Sequence, residues 1–188
     1  MARHTRPHVA YHEAGHALIA YLLGRTCGPV TILPEGDSAG HAHGCTVATD
    51  ENPEWCTGHK AERAAHDRTL FSLGGNAAIK VVYGRNDHIG ASEDYGHAVD
   101  VALTICGGDP QEAYFYQRRL SLKARRMLAW KRPLLDALAA ALMERETLTH
   151  RQVRELLDAT QKRVSDEHLT AMQAKTKAAA QRPTARLR

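Results

Sequence analysis

Apolar residues recur along this chain mainly at the three- and four-residue spacing that is typical of helices. They flank positions 12–16 on both sides, over 9–23 and without a proline, so the pattern predicts a buried first helix. The same spacing predicts further helices along the chain, with a break at Pro133. They are a helix from about Thr57 towards Gly74 that continues helical over 77–83, then 92–106, 111–131, 134–145 and a segment that begins at Thr149.

Two short runs of β-branched and aliphatic residues, at 30–33 and 44–48, stand apart from the helical pattern. They predict a small sheet beside the first helix, and the glycine-rich stretch between them, 35–43, is expected to be a loop. The expected fold is therefore mainly α, with a small β-sheet next to the first helix and a helical bundle in the C-terminal part.

Positions 12–16 read His-Glu-Ala-Gly-His, which is the H-E-x-x-H pattern on a predicted helix. His12 and His16 lie one helical turn apart, so a nitrogen of each imidazole can bind the same zinc ion. Glu13 then lies close enough to take a proton from a water molecule that zinc has acidified. With 12 histidines in the chain, chance would produce only about 0.04 such matches. The pattern therefore indicates a metal-dependent hydrolase of zincin type.

A catalytic zinc ion takes three protein ligands, so a third must come from elsewhere in the chain. No histidine follows His16 at the spacing of the extended metzincin motif. The downstream candidates are His88, Asp94, His97 and Asp100, and spacing alone does not choose among them.

A second group of metal-binding residue types lies in and after the predicted loop. Their spacings match no known metal motif, so we interpret them as polar residues of a loop and a sheet face. The group consists of His41, His43, Cys45, Cys56 and His59.

Charge is unevenly distributed along the chain. Of 25 basic and 21 acidic residues, five basic ones and no acidic one fall within 169–188. The excess positive charge therefore belongs to the C-terminal end, and the nearly neutral remainder gives no reason to expect a nucleic-acid partner. We expect one domain over 1–165 and a basic, flexible tail over 166–188.

The sequence contains neither a signal-peptide pattern nor an apolar stretch long enough to span a membrane. Its four cysteines form no C-x-x-C pair, which is typical of reduced thiols rather than a disulfide framework. These features favour a cytoplasmic protein.

Five motifs in the same order resemble the peptidase domain of the FtsH-type zinc metalloproteases. They are YHEAGHA at 11–17, VTILP at 30–34, LGGNAA at 73–78, GASED at 90–94 and LMERETL at 142–148. The resemblance implies a Zn²⁺ cofactor held by His12, His16 and Asp94, with Glu13 as the catalytic base. It also implies a mainly helical peptidase fold.

The sequence departs from that family in two respects. FtsH-type proteases carry transmembrane helices and an ATPase domain, whereas this sequence has no P-loop motif. They also usually have an acid after the G-G-x-A-A motif, where this chain has Ile79.

We therefore expect a zinc metalloendopeptidase that cleaves flexible or unfolded protein segments without ATP. The substrate would lie as an extended strand along Gly44, Cys45, Thr46 and Val47. The alternative is a catalytically weak or inactive peptidase-like module that binds peptides or acts with a partner protein. The expected binding partner is a protein or peptide substrate, and the sequence is compatible with a homo-oligomer or with a separate partner protein.

Overall fold

The computed structural model describes residues 5–34, 41–42, 45–46, 58–86 and 92–180, with only the backbone at 41–42, 45–46 and 176–180. Seven helices and five short strands are found in these residues. The helices are α1 (Arg6–Leu22), α2 (His59–Ser72), α3 (Gly74–Tyr83), α4 (Ser92–Ile105), α5 (Pro110–Trp130), α6 (Arg132–Arg145) and α7 (His150–Ala180). The strands are β1 (Thr26–Cys27), β2 (Val30–Thr31), β3 (His41–Ala42), β4 (Cys45–Thr46) and β5 (Thr147–Leu148).

The mainly helical fold class is confirmed, and helix ends follow local sequence signals. Pro7 stands in the first turn of α1, where a proline needs no hydrogen-bond donor. After α1, Gly24 adopts a φ of +70°, a left-handed conformation that glycine tolerates best. At the start of α7, Thr149 and Gln152 form the expected capping box, with backbone-to-side-chain hydrogen bonds of 2.8 and 3.3 Å.

The strands pair differently from the sequence expectation. β4 is antiparallel to β1, while β2 lies between β3 and β5 in a separate three-stranded sheet. The two runs predicted to share a sheet are therefore in different sheets, and His41, placed in the predicted loop, belongs to a strand. β2 pairs with β5, which follows α6 far along the chain. The hydrophobic pattern around β2 therefore could not identify β5 as its partner strand.

The core is organised around α1. This helix packs against α3 on one side and α6 on another, and it also contacts α2, α5 and three strands. Because neighbours surround it, apolar residues are buried all around its middle turns. The largest fully buried side chains are Leu18, Ile19, Leu70, Ile79, Leu120, Leu128, Leu134, Leu135, Leu138, Leu142, Leu148 and Leu157.

The crossing of α1 and α3 is close enough to exclude side chains from both backbones. A Cβ atom added to Gly15 would overlap the carbonyl oxygen of Gly74 and lie 2.7 Å from Cβ of Ala78. A Cβ atom added to Gly74 would lie 2.9 Å from the carbonyl oxygen of Gly15. Both distances are shorter than van der Waals contact, so glycine is required on both helices at this crossing.

The last helix extends beyond the body of the protein. α7 continues through residue 165, where the domain was predicted to end, as far as Ala180. Between 166 and 175 every residue is exposed, including Leu169 and Met172. No helix within the described residues is long and apolar enough to cross a bilayer.

The glycine crossing predicts opposite effects for two Gly→Ala substitutions in helices. Gly15→Ala should lower the free energy of unfolding by about 1–3 kcal/mol, because the added methyl group forces α1 and α3 apart. Gly96→Ala in α4 is the matched control, since nothing lies within 4 Å of its added methyl group. That control should gain about 0.5–1 kcal/mol from helix propensity. Urea denaturation measures both values, and equal stabilisation by the two substitutions would contradict the close crossing.

Candidate metal centre

Three side chains converge at the middle of α1. Nε2 of His12 and Nε2 of His16 are 3.1 Å apart, and Oδ2 of Asp94 lies 3.0 Å from each of them. The histidines come from successive turns of α1, and Asp94 comes from the first turn of α4. Both imidazoles are almost completely buried, so the three ligand atoms form a compact cluster at the edge of the core.

The end of α2 fixes the orientation of the His16 ring. Its Nδ1 lies 2.7 Å from the carbonyl oxygen of Phe71, a distance at which Nδ1–H donates a hydrogen bond. With its proton on Nδ1, the ring presents the lone pair of Nε2 to the cluster. A backbone carbonyl that orients a histidine in this way is typical of metal sites. Sequence reasoning missed this contact, because Phe71 lies on another helix.

Asp94 is held in its charged form. Burial raises the pKa of its carboxyl group, but the charge that His16 carries when protonated, with the hydrogen bonds that His12 and His16 can then donate, outweighs burial. The net effect leaves the pKa of Asp94 well below its usual range. The cluster therefore combines an ionised carboxylate with two imidazole nitrogens, which is a donor set that suits zinc.

The spacing of these atoms fits a tetrahedral metal ion. Zinc bonds of about 2.0–2.1 Å to nitrogen and oxygen place neighbouring ligand atoms roughly 3.3 Å apart. The observed separations of 3.0–3.1 Å are close to that value. No other group of three metal-binding side chains is found within the part of the chain that the structure describes.

Gly75 keeps the space next to the two imidazoles open. A Cβ atom at this position would lie 2.5 Å from Nε2 of His16 and closer still to Nε2 of His12. Any side chain here would therefore occupy the region that both ligand nitrogens face. The G-G-x-A-A motif was noted in the sequence, but this role depends on how α3 crosses α1. One turn further along α3, Ile79 is fully buried where the resembling family usually has an acid.

Glu13 follows His12 directly on α1 and is 5% exposed. Its carboxylate therefore belongs to the same buried stretch of α1 that carries both histidines.

The remaining candidates fall outside this cluster. His97 and Asp100 are exposed positions of α4, and His59 is fully exposed at the start of α2. His88, His43 and Cys56 lie outside the described residues, as do the side chains of His41 and Cys45. Of the predicted substrate-binding residues, Cys45 and Thr46 form β4, while Gly44 and Val47 lie outside the described residues.

Comparison with known proteins agrees with this arrangement. The family model described as Peptidase family M41 matches residues 1–106. An "ATP-dependent zinc metalloprotease FtsH" of Marinobacter nauticus is 27% identical over 84% of this chain and 30% of its own length. A protein of the same name from Rhodococcus erythropolis is 28% identical over 87% of this chain and 23% of its own length.

A third relative, "ATP-dependent zinc metalloprotease FtsH 1" of Symbiobacterium thermophilum, is 33% identical over 82% of this chain and 29% of its own length. The chain thus spans less than a third of the length of these curated relatives. Because the family model covers more than half of the chain, including both histidines and Asp94, the chain belongs to peptidase family M41.

Proposed function

We propose that this chain is a zinc-dependent endopeptidase that cleaves flexible or unfolded protein segments. The observation that carries the proposal is the convergence of His12, His16 and Asp94 within 3.1 Å of one another in a chain of family M41. In this proposal the three side chains hold Zn²⁺, the metal that the relatives' names specify. When bound, zinc polarises the scissile carbonyl and lowers the pKa of a water molecule to about 7.

Glu13 is proposed as the general base. Its carboxylate takes a proton from the attacking water and delivers it to the nitrogen of the departing amine, so that the peptide bond is replaced by a carboxylate and an amine. Glu13 is buried and follows His12 directly, so its carboxylate is carried by the same helical turn as a proposed metal ligand. His16, held by the Phe71 carbonyl, and Asp94 then act as fixed ligands whose orientation does not change during the reaction.

The substrate is proposed to bind as an extended strand beside β4. Among the described residues β4 pairs only with β1, and in this proposal the peptide pairs with the other edge of β4. Backbone hydrogen bonds from Gly44, Cys45, Thr46 and Val47 would hold the peptide without reading a particular sequence. This mode of binding requires the substrate to be locally extended.

The Glu13→Gln substitution tests the proposed mechanism. An amide cannot accept the proton, so the variant should retain zinc while digestion of casein falls by more than about 100-fold. Zinc content is measured by atomic emission and activity by peptide release, with a chelator as the blank. Unchanged activity would refute the role of Glu13. A zinc-loaded wild-type protein without any activity would instead favour a non-catalytic peptide-binding module.

The proposed ligand set is tested on α4. Asp94→Ala should weaken zinc binding by more than about 100-fold, because it removes an ionised oxygen donor. His97→Ala and Asp100→Ala are matched controls on the same helix, since both positions are exposed, and they should bind zinc like the wild type. Competition with a chromophoric chelator gives the affinities. A large loss of zinc affinity in either control, or no loss in Asp94→Ala, would show that the third ligand is a residue other than Asp94.

The substrate class is tested with one protein in two states. Opening a stable domain costs about 5–15 kcal/mol, which exceeds what binding along one strand edge supplies. This chain should therefore cleave a reduced, unfolded protein without ATP and leave its folded form intact. Gel analysis of both digests, with and without ATP, measures this. Cleavage of the folded form faster than its own opening rate, or stimulation by ATP, would contradict the proposal.

A further inference from the structure

The outer face of α5 departs from the pattern of an ordinary surface helix. The inner face is apolar and packs into the core through Ala113, Leu120, Ala124 and Leu128. The outer face should then be polar, but Phe115 is 60% exposed, Leu122 is 52% exposed and Trp130 is 84% exposed. Three large apolar side chains on one solvated helix face indicate a binding surface.

Arginines lie among the apolar residues of this ridge at helical spacing. Arg118 and Arg119 lie one turn after Phe115, and Arg126 lies midway between Leu122 and Trp130. None of these three arginines forms an ion pair with any described residue, and all three are exposed. Glu112 in the first turn is the one acid within α5. The outer face of α5 therefore combines large apolar side chains with positive charges that lie among them.

This combination specifies the kind of partner. The positive charge calls for an anionic surface, and it opposes pairing with a second copy of the same face. The ridge lies along a single helix, so it suits a flat partner surface that needs no complementary groove. A bilayer with anionic lipids meets both requirements, since apolar side chains enter the acyl boundary while arginines contact lipid phosphates. Tryptophan is also favoured at the membrane–water interface.

We propose that the face of α5 formed by Phe115, Arg118, Arg119, Leu122, Arg126 and Trp130 binds the surface of an anionic lipid bilayer. The helix lies parallel to the membrane plane, and the inner face remains in the core. This binding is peripheral and independent of the metal centre, whose ligands lie on α1 and α4.

Vesicle co-sedimentation of the full-length chain tests the proposal. The wild type should bind vesicles of about three parts phosphatidylcholine to one part phosphatidylserine and should not bind phosphatidylcholine alone. Replacing Arg118, Arg119 and Arg126 together by alanine should weaken binding by about 100-fold, given the contribution of each basic residue near an anionic surface. Leu122→Ser should also weaken binding, since it removes part of the ridge without changing charge.

The matched control replaces Arg151, Arg154 and Arg163 of α7 by alanine, which removes the same charge from another exposed helix. Both this control and the α5 variant retain the basic C-terminal end. A difference in vesicle binding between the two variants therefore reports on the arginines of α5. The control should bind like the wild type. In a Trp55→Phe background, the emission of Trp130 should shift to shorter wavelength with anionic vesicles.

Three outcomes would overturn the proposal. The first is that the wild type binds neither kind of vesicle, or binds both equally. The second is that the α7 control loses as much affinity as the α5 variant. The third is that poly-glutamate binds the α5 face while anionic vesicles do not, which would indicate that the partner of this face is an acidic protein.

Discussion

The close contact between α1 and α3 is the constraint on which the rest of this structure depends. Two glycines, Gly15 and Gly74, allow the backbones to approach so closely that a methyl group on either would overlap its neighbour. This approach places Gly75 directly over the ligand nitrogens of His12 and His16. The same crossing thus stabilises the core and shapes the candidate metal centre. A substitution that moves α1 and α3 apart would therefore also alter the site.

The site itself brings together groups that are individually costly to bury. An ionised Asp94 and two imidazoles lose hydration at the edge of an apolar core, and their mutual contacts offset that loss. The carbonyl of Phe71 adds a fixed hydrogen bond to His16 from α2. Three helices therefore contribute to one small cluster, which is how a rigid ligand geometry can be built on regular secondary structure.

The sequence predicted the helices and the H-E-x-x-H histidines because both depend on spacing within one element. Asp94 could be chosen among its neighbours only through the resemblance to FtsH-type proteases, since spacing says nothing about how α4 packs. Strand partners were inaccessible for a similar reason, as β2 and β5 are two residues long and meet after more than a hundred intervening residues. The role of Gly75 could not be predicted either, because it arises from the contact between two helices.

The central claim is that His12, His16 and Asp94 hold one zinc ion in this chain. X-ray absorption at the zinc edge of the purified, zinc-loaded protein tests it most directly, because bond lengths distinguish the donor atoms. Zinc held by these three side chains should show a first shell of nitrogen and oxygen at about 2.0–2.1 Å, with the multiple scattering of two imidazoles and no sulfur. A zinc–sulfur distance of about 2.3 Å, which would place the metal on the cysteines, or a protein that binds no zinc, would contradict it.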